Sequence, residues 1–315
     1  MLLEPLKQWM QSNIIGQSHL VDRLLIALLA DGHLLAEGPP GLAKTKAIKS
    51  LAEGIDCDFH RVQFTPDLLP TDITGTDIYL PQDHKFEFQP GPIFHNLILA
   101  DEINRSPAKT QAALLEAMAE QQVSIGSKTY PLPALFLVMA TQNPIEQEGT
   151  YALPEAQLDR FLMQVNIDYP DAKTEASILQ LVRNEQSAKD AIIPPQLSID
   201  TILQARQSVL NIHTANSLDE YMVQLTMATR KPENYDTELA KMISFGVSPR
   251  ATIALDRCAK AHAFLRGNEF VSPDDIRAVI HDVFRHRLLL SFEAEAQGLT
   301  SDDIIDRILE RVPLI

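Results

Sequence analysis

The chain has 315 residues, 45% of them hydrophobic, with 42 acidic and 27 basic side chains and a net charge of −15. That length fits one large or two medium domains, and the charge argues against a general attraction to DNA, RNA or anionic membrane, leaving only a local basic pore open to such partners. No apolar run is long enough to span a membrane, the opening M-L-L-E-P-L-K-Q-W-M reads as a poor signal peptide, and Cys57 and Cys258 make neither a disulfide framework nor a zinc site, which fits a reducing cytoplasm.

The first motif along the chain is I-I-G-Q at 14–17, at the entry to a long helix; Ile15 and Gln17 can flank a purine there, and a plain helix entry explains them nearly as well. Leu34–Glu37 reads as a short strand, and G-P-P-G-L-A-K-T follows at 38–45. Gly38 and Gly41 permit backbone conformations closed to other residues, so the loop that also holds Pro39, Pro40, Leu42 and Ala43 can aim N–H groups at an anion. A helix beginning near Lys44 adds its positive N-terminal end. Lys44 can reach the β- and γ-phosphates of a nucleotide and the Thr45 hydroxyl can ligate Mg²⁺. The glycine usual before the lysine is here Ala43. Taken alone, the stretch competes with a proline-containing turn before an ordinary helix.

Further strands are expected at Phe59–Phe64, a mixed segment suited to a sheet edge, and at Leu97–Asp101, Leu135–Thr141 and Phe161–Ile167. The Leu97 strand ends in Asp101-Glu102. Beside a phosphate loop, Asp101 can hold Mg²⁺ directly or through water, and Glu102 can polarise an attacking water. Two acids capping the next helix is the plainer reading of that pair in isolation. Ser106 is expected to N-cap a helix over 107–121 with Pro107 at its first position and Ala113, Leu114, Ala117 and Met118 on one face. The strand V-M-A-T-Q-N-P delivers Asn143 to the carboxyl edge of the sheet, where it can bond a γ-phosphate or the attacking water. Arg160 ends a short helical segment before the last strand; it is either a surface ion-pair residue or a cation acting on a neighbouring subunit's nucleotide. This alternation predicts a doubly wound α/β domain.

After Pro170 the strands are expected to stop. A helix over 171–186 and a linker near 191–196 lead to helices over about 199–212, 217–229, 235–245, 249–266 and 273–287, two of them opened by Ser248-Pro249 and Ser272-Pro273. In F-G-V-S-P-R-A, Arg250 falls in a first helical turn, where a cation opposes the helix dipole and so points to a nearby anion or to an exposed residue tolerated at small cost. The nine histidines show no metal-binding spacing; His281 and His286, five apart, share no helix face.

The segments E-G-P-P-G-L-A-K-T (37–45), Q-F-T-P-D-L-L-P-T-D-I-T-G-T (63–76), G-P-I-F-H-N-L-I-L-A-D-E-I-N-R-S-P-A-K-T-Q-A-A-L-L-E-A-M (91–118), A-T-Q-N-P-I-E-Q-E-G-T-Y-A-L-P-E-A-Q-L-D-R-F (140–161) and S-P-R-A (248–251) together resemble the AAA+ ATPases, and in detail their MoxR branch, for which Ala43 is typical. The resemblance implies a P-loop core with a five-stranded parallel sheet in 5-1-4-3-2 order over residues 1–190 and an all-α lid over 191–315. It implies ATP and Mg²⁺ held by Walker A residues Lys44 and Thr45 and Walker B residues Asp101 and Glu102. Asn143 would be sensor 1, Arg160 the arginine finger and Arg250 sensor 2. An insertion near 66–79 and a hairpin near 121–132 would face the pore or a partner. The implied assembly is a homo-oligomeric ring, a hexamer, that remodels or matures protein clients, metal insertion included, with a separate von Willebrand factor A domain protein. The alternatives are the ATPase subunit of a metal chelatase, told apart by its partner chain; a DNA-acting regulator, disfavoured by the acidic charge; and a nucleotide-gated scaffold with negligible hydrolysis.

Overall fold

A computed structural model of the chain describes residues 3–144, 149–186 and 193–314. Residues 145–148 of the fourth resembling segment, the start of the expected linker and the expected boundary at 190/191 lie outside the described residues. The central sheet has five parallel strands: β1 Leu34–Glu37, β2 Phe59–Gln63, β3 Leu97–Asp101, β4 Leu137–Gln142 and β5 Met163–Asn166. Their spatial order is β2-β3-β4-β1-β5, which reads 5-1-4-3-2 from the other edge. The aliphatic strands are buried on both faces, as parallel strands covered by helices require. The mixed segment β2 forms one edge.

The pleat sends alternate residues to opposite layers. Leu34, Ala36, Leu99 and Met139 pack with α1 (Glu4–Asn13), α2 (Ser18–Leu29) and α3 (Lys44–Ile55), while Leu35, Ile98, Val138 and Ala140 pack with Leu114, Leu115, Ala117 and Met118 of α4 (Ala108–Glu120). The start of α4 corrects the expected cap. Pro107 occupies the cap position without a side-chain bond, and the buried Ser106 hydroxyl donates instead to the Ile103 carbonyl of the preceding 3₁₀ turn. Gln111 secures the same junction by donating from Nε2 to the carbonyls of Ile103, Ser106 and Tyr151.

Two hairpins leave the sheet layer. The segment expected near 66–79 folds as a short helix, Pro70–Thr74, and a hairpin of Gly75–Leu80 with Lys85–Pro90, so it runs on to residue 90. The second hairpin pairs Gln122–Ile125 with Lys128–Pro131, within the expected 121–132. Phe88 of the first stacks on Tyr130 of the second with ring centroids 4.1 Å apart.

Beyond α5 (Ala172–Gln186) the fold is mainly helical: α6 Ile199–Leu210, α7 Asn216–Arg230, α8 Pro249–Leu265, α9 Pro273–Phe284 and α10 Ser301–Arg311. Ser198, Ser248, Ser272 and Thr300 accept bonds from first-turn N–H groups, the stop-start chemistry the sequence predicts for two of these helices. Three expectations fail here. The helix expected over 235–245 spans only Thr237–Met242, and Ile243–Phe245 turns into a strand antiparallel to Leu289–Leu290, so strands do not stop at Pro170. Gly246 explains the sharp exit, since a Cβ there would meet the Thr229 carbonyl oxygen at 2.5 Å. The helix expected over 273–287 ends at Phe284. Helix α2 is buried along nine of its twelve residues and touches α3, α6, α8, β1 and β5, so one apolar core runs from the sheet into the lid.

Candidate functional site

The carboxyl end of β1 runs directly into the glycine loop. A Cβ at Gly38 would lie 2.3 Å from the Ile167 carbonyl oxygen, so only glycine lets the loop pass β5 this closely. Gly41 supplies a φ of +84°. Pro39 is buried, Pro40 exposed, and Leu42 and Ala43 lie half-buried against the core. Ala43 adopts the left-handed region (φ 56°, ψ 16°) as the residue before α3, so the position where glycine is usual does demand a glycine-like backbone. Lys44 opens α3 and donates from Nζ to the Gly38 carbonyl at 2.7 Å. Burial pulls its pKa down, and the negative charges of Asp101, Glu102 and Glu37 work against that shift.

Asp101 and Glu102 end β3 beside the loop. Thr141 Oγ1, at the end of β4, donates to Asp101 Oδ1 at 2.6 Å and accepts the Glu102 N–H at 2.9 Å. Glu102 has φ 55° and ψ 51°, a conformation that costs a non-glycine residue on the order of 1 kcal/mol and that clusters at functional turns. Two β2 residues reach the acids: Arg61 pairs with Asp101 at 2.6 Å and Gln63 donates to Glu102 Oε2 at 2.8 Å. Arg105 lies 3.2 Å from that same oxygen. Arg61, Gln63, Thr141 and Arg105 were not expected from sequence. The available signal was the polar alternation R-V-Q in a strand that pairs with the acid strand. Asn143 follows β4 and is buried.

A cleft of about 460 Å³ lies against this edge, lined by Gly38, Pro39, Pro144, Asp168, Arg285 and the start of α10. Gln17 donates to the Asp168 carbonyl at 3.3 Å, and the φ +83° turn at Gly16 packs against Pro170 and Thr174, so Ile15–Gln17 border the same region. The donor set suits a hard divalent cation: a hydroxyl from Thr45 in the first turn of α3 and a carboxylate from Asp101, with N–H groups and Lys44 for the accompanying anion.

Arg160 and Arg250 do not join this group. They line a second cleft of about 330 Å³ with Asp31, Gly32 and His33, which precede β1, and with Arg257 and Arg287. The two clefts thus lie at opposite ends of β1. Arg160 is fixed by donating from Nη1 to the Leu115 carbonyl at 2.8 Å. Asp159 draws the lid in: Ser248 Oγ donates to its carboxylate at 2.9 Å and Arg287 pairs with it at 2.7 Å. His33 is buried between the Met118 carbonyl and the Val138 N–H, and burial lowers its pKa to about 4.

Residues 33–163 match the family described as "ATPase family associated with various cellular activities (AAA)", and residues 236–308 match the AAA lid domain. The chain is 45% identical over 306 residues to the chaperone MoxR1 of Mycobacterium tuberculosis, covering 96% of this chain and 79% of that one. It is 32% identical to the MoxR protein of Paracoccus denitrificans, covering 96% and 93% of the two chains. A crystal structure from Cytophaga hutchinsonii, provisionally described as an ATPase, superposes with a TM-score of 0.92 at 45% identity and covers 100% of this chain and 95% of that one.

Proposed function

The chain belongs to the MoxR family of AAA+ ATPases, and from that premise we propose that it couples ATP hydrolysis, in a hexameric ring, to the remodelling or maturation of protein clients. ATP hydrolysis and a chaperone-like role follow from the family. The residue roles are our reading. Lys44 and the loop of Gly38–Ala43 bind the phosphates, Thr45 and Asp101 hold Mg²⁺, and Glu102 orients and deprotonates the attacking water. Asn143 contacts the γ-phosphate, and Ile15 and Gln17 flank the purine. Bound Mg²⁺ supplies charge neutralisation at the β- and γ-phosphates. Arg160 and Arg250 act on the nucleotide of the adjoining subunit.

The observation that carries this reading is that Lys44, bonded to the Gly38 carbonyl, and the acids Asp101 and Glu102, both held by Thr141, stand at the carboxyl edge of one parallel sheet, while the arginines stand at the far end of β1. A ring in which one end of a subunit meets the other end of its neighbour brings the two sets together. We further propose a separate von Willebrand factor A domain protein as partner, metal insertion among the client outcomes, and a cytoplasmic setting. Among the described residues no helix is long and apolar enough to cross a membrane.

The test is Glu102→Gln. Turnover falls by about 10²- to 10⁴-fold, the usual contribution of a positioned base, while ATP affinity holds. Normal turnover in that variant would remove Glu102 from the role of base.

A further inference from the structure

Both candidate acids are tied to one edge strand. Arg61 and Gln63 stand two residues apart on β2, so their side chains leave the same face, and Gln63 lies opposite Asp101 in the ladder. Arg61 donates to Asp101 Oδ2 from Nε at 3.1 Å and from Nη2 at 2.6 Å. Nη2 also donates to Gln63 Oε1 at 3.1 Å, and Gln63 Nε2 donates to Glu102 Oε2 at 2.8 Å. The chain Asp101–Arg61–Gln63–Glu102 therefore closes on itself across two adjacent acids.

A carboxylate has about four lone-pair positions. Arg61 occupies two on Oδ2, and Thr141 takes one on Oδ1. A metal ion approaching Asp101 therefore meets a guanidinium already in place. The Arg61 side chain is 50% exposed, so the pair is of the weak, easily displaced kind. Its position is also set from elsewhere. β2 has a single neighbour in the sheet, and seven residues beyond Gln63 the chain enters the helix of Pro70–Thr74 and then the exposed hairpin.

We propose that Arg61 is a displaceable counter-ion that competes with Mg²⁺ for the Asp101 carboxylate, so that β2 sets how readily a subunit takes up metal-bound nucleotide. This rests on the assignment of Asp101 as metal holder. Arg61 is thus a positioning residue: it acts through the acid and not on the nucleotide.

The experiment uses the full chain and a fluorescent ATP analogue, titrated with Mg²⁺ and compared with binding in EDTA. Arg61→Ala lowers the Mg²⁺ concentration for half-maximal tight binding by roughly two- to fivefold, the scale set by an exposed ion pair, and leaves binding in EDTA unchanged. Arg61→Lys, which retains a cation, stays near the parent. An unchanged or raised Mg²⁺ requirement in Arg61→Ala overturns the proposal. Should Arg61→Ala fail to fold, as thermal unfolding would show, Arg61→Gln carries the same comparison. Asp101→Asn separates the two levels. If it keeps the parent's Mg²⁺ dependence, the assignment of Asp101 falls and the proposal with it. If it abolishes that dependence while the Arg61 variants change nothing, the proposal alone falls.

Discussion

Ala43 stands in the left-handed region with its methyl group half-buried against the core. The conformation costs an L-residue about 1–2 kcal/mol, whereas glycine avoids that cost and loses more chain entropy on folding. These terms nearly cancel, so Ala43→Gly changes unfolding free energy by no more than about 1 kcal/mol and leaves nucleotide affinity intact. Urea unfolding and nucleotide titration check both halves. A tenfold loss of affinity would instead show that the methyl group sets the loop's shape. The sequence already signals this site through Gly38, Lys44, Thr45 and the Asp101-Glu102 pair, because each sits in a contiguous stretch whose local pattern states its chemistry. Arg61, Gln63 and Thr141 are illegible by the same route. They reach the acids across strand pairings, and the ladder that sets Gln63 beside Asp101 is no property of either segment alone. Ser106 illustrates the opposite error: a serine before a proline carries a cap signal, but here its hydroxyl serves the turn it ends.

At the scale of elements, a buried carboxylate ties α2 to the lid. Asp282 of α9 accepts from Arg23 of α2 at 2.6 Å and from Arg285 at 2.9 Å, with His19 alongside. Arg285 continues the link to the Gln164 carbonyl of β5 and to Asp302 of α10. Burial works against the Asp282 charge, but the bond from His19 and the charges of Arg23, His19 and Arg285 outweigh it and hold the carboxyl well below the usual range. Its contribution is therefore present at neutral pH and is lost only as pH falls through that lowered value. Asp282→Ala strands Arg23 in the interior and costs about 3–5 kcal/mol, read from urea unfolding at neutral pH. A loss under about 1 kcal/mol would mean that the network is solvated and does not fix the lid. The helices of the lid were largely legible because serine-proline starts and 3.6-residue periodicity are local. The strand pair of Ile243–Phe245 with Leu289–Leu290 was not, since its partner lies more than forty residues away. Helix α10 went unread although Thr300 and Asp303 form a capping box ahead of Ile304, Ile305 and Ile308.

At the scale of the whole molecule, the decisive fact is polarity along the sheet. The glycine loop leaves the carboxyl end of β1, and Arg160 and Arg250 gather with Asp31–His33 at its amino end. Four strand residues span roughly 13 Å, and the packed sheet fills the space between, so Arg160 has no route to the loop of its own subunit. If Arg160 is to act on a nucleotide at such a loop, the loop must belong to a neighbouring subunit. The shared core through α2 makes each subunit a body able to present both ends at once. Arg160→Ala then leaves nucleotide binding intact and lowers turnover by about 10³-fold or more, the scale of a lost arginine finger. The distinguishing measurement mixes these subunits with Lys44→Ala subunits, each inactive alone. Where an Arg160→Ala subunit adjoins a Lys44→Ala neighbour on the correct side, its intact loop meets an intact arginine. With random equal mixing that holds at about one interface in four, so turnover returns to a comparable fraction of the parent's. Arginine acting within its own subunit yields no recovery at any ratio, because no subunit in the mixture then holds both groups. A return of turnover with Arg250→Ala in place of Arg160→Ala extends the same assignment to the lid.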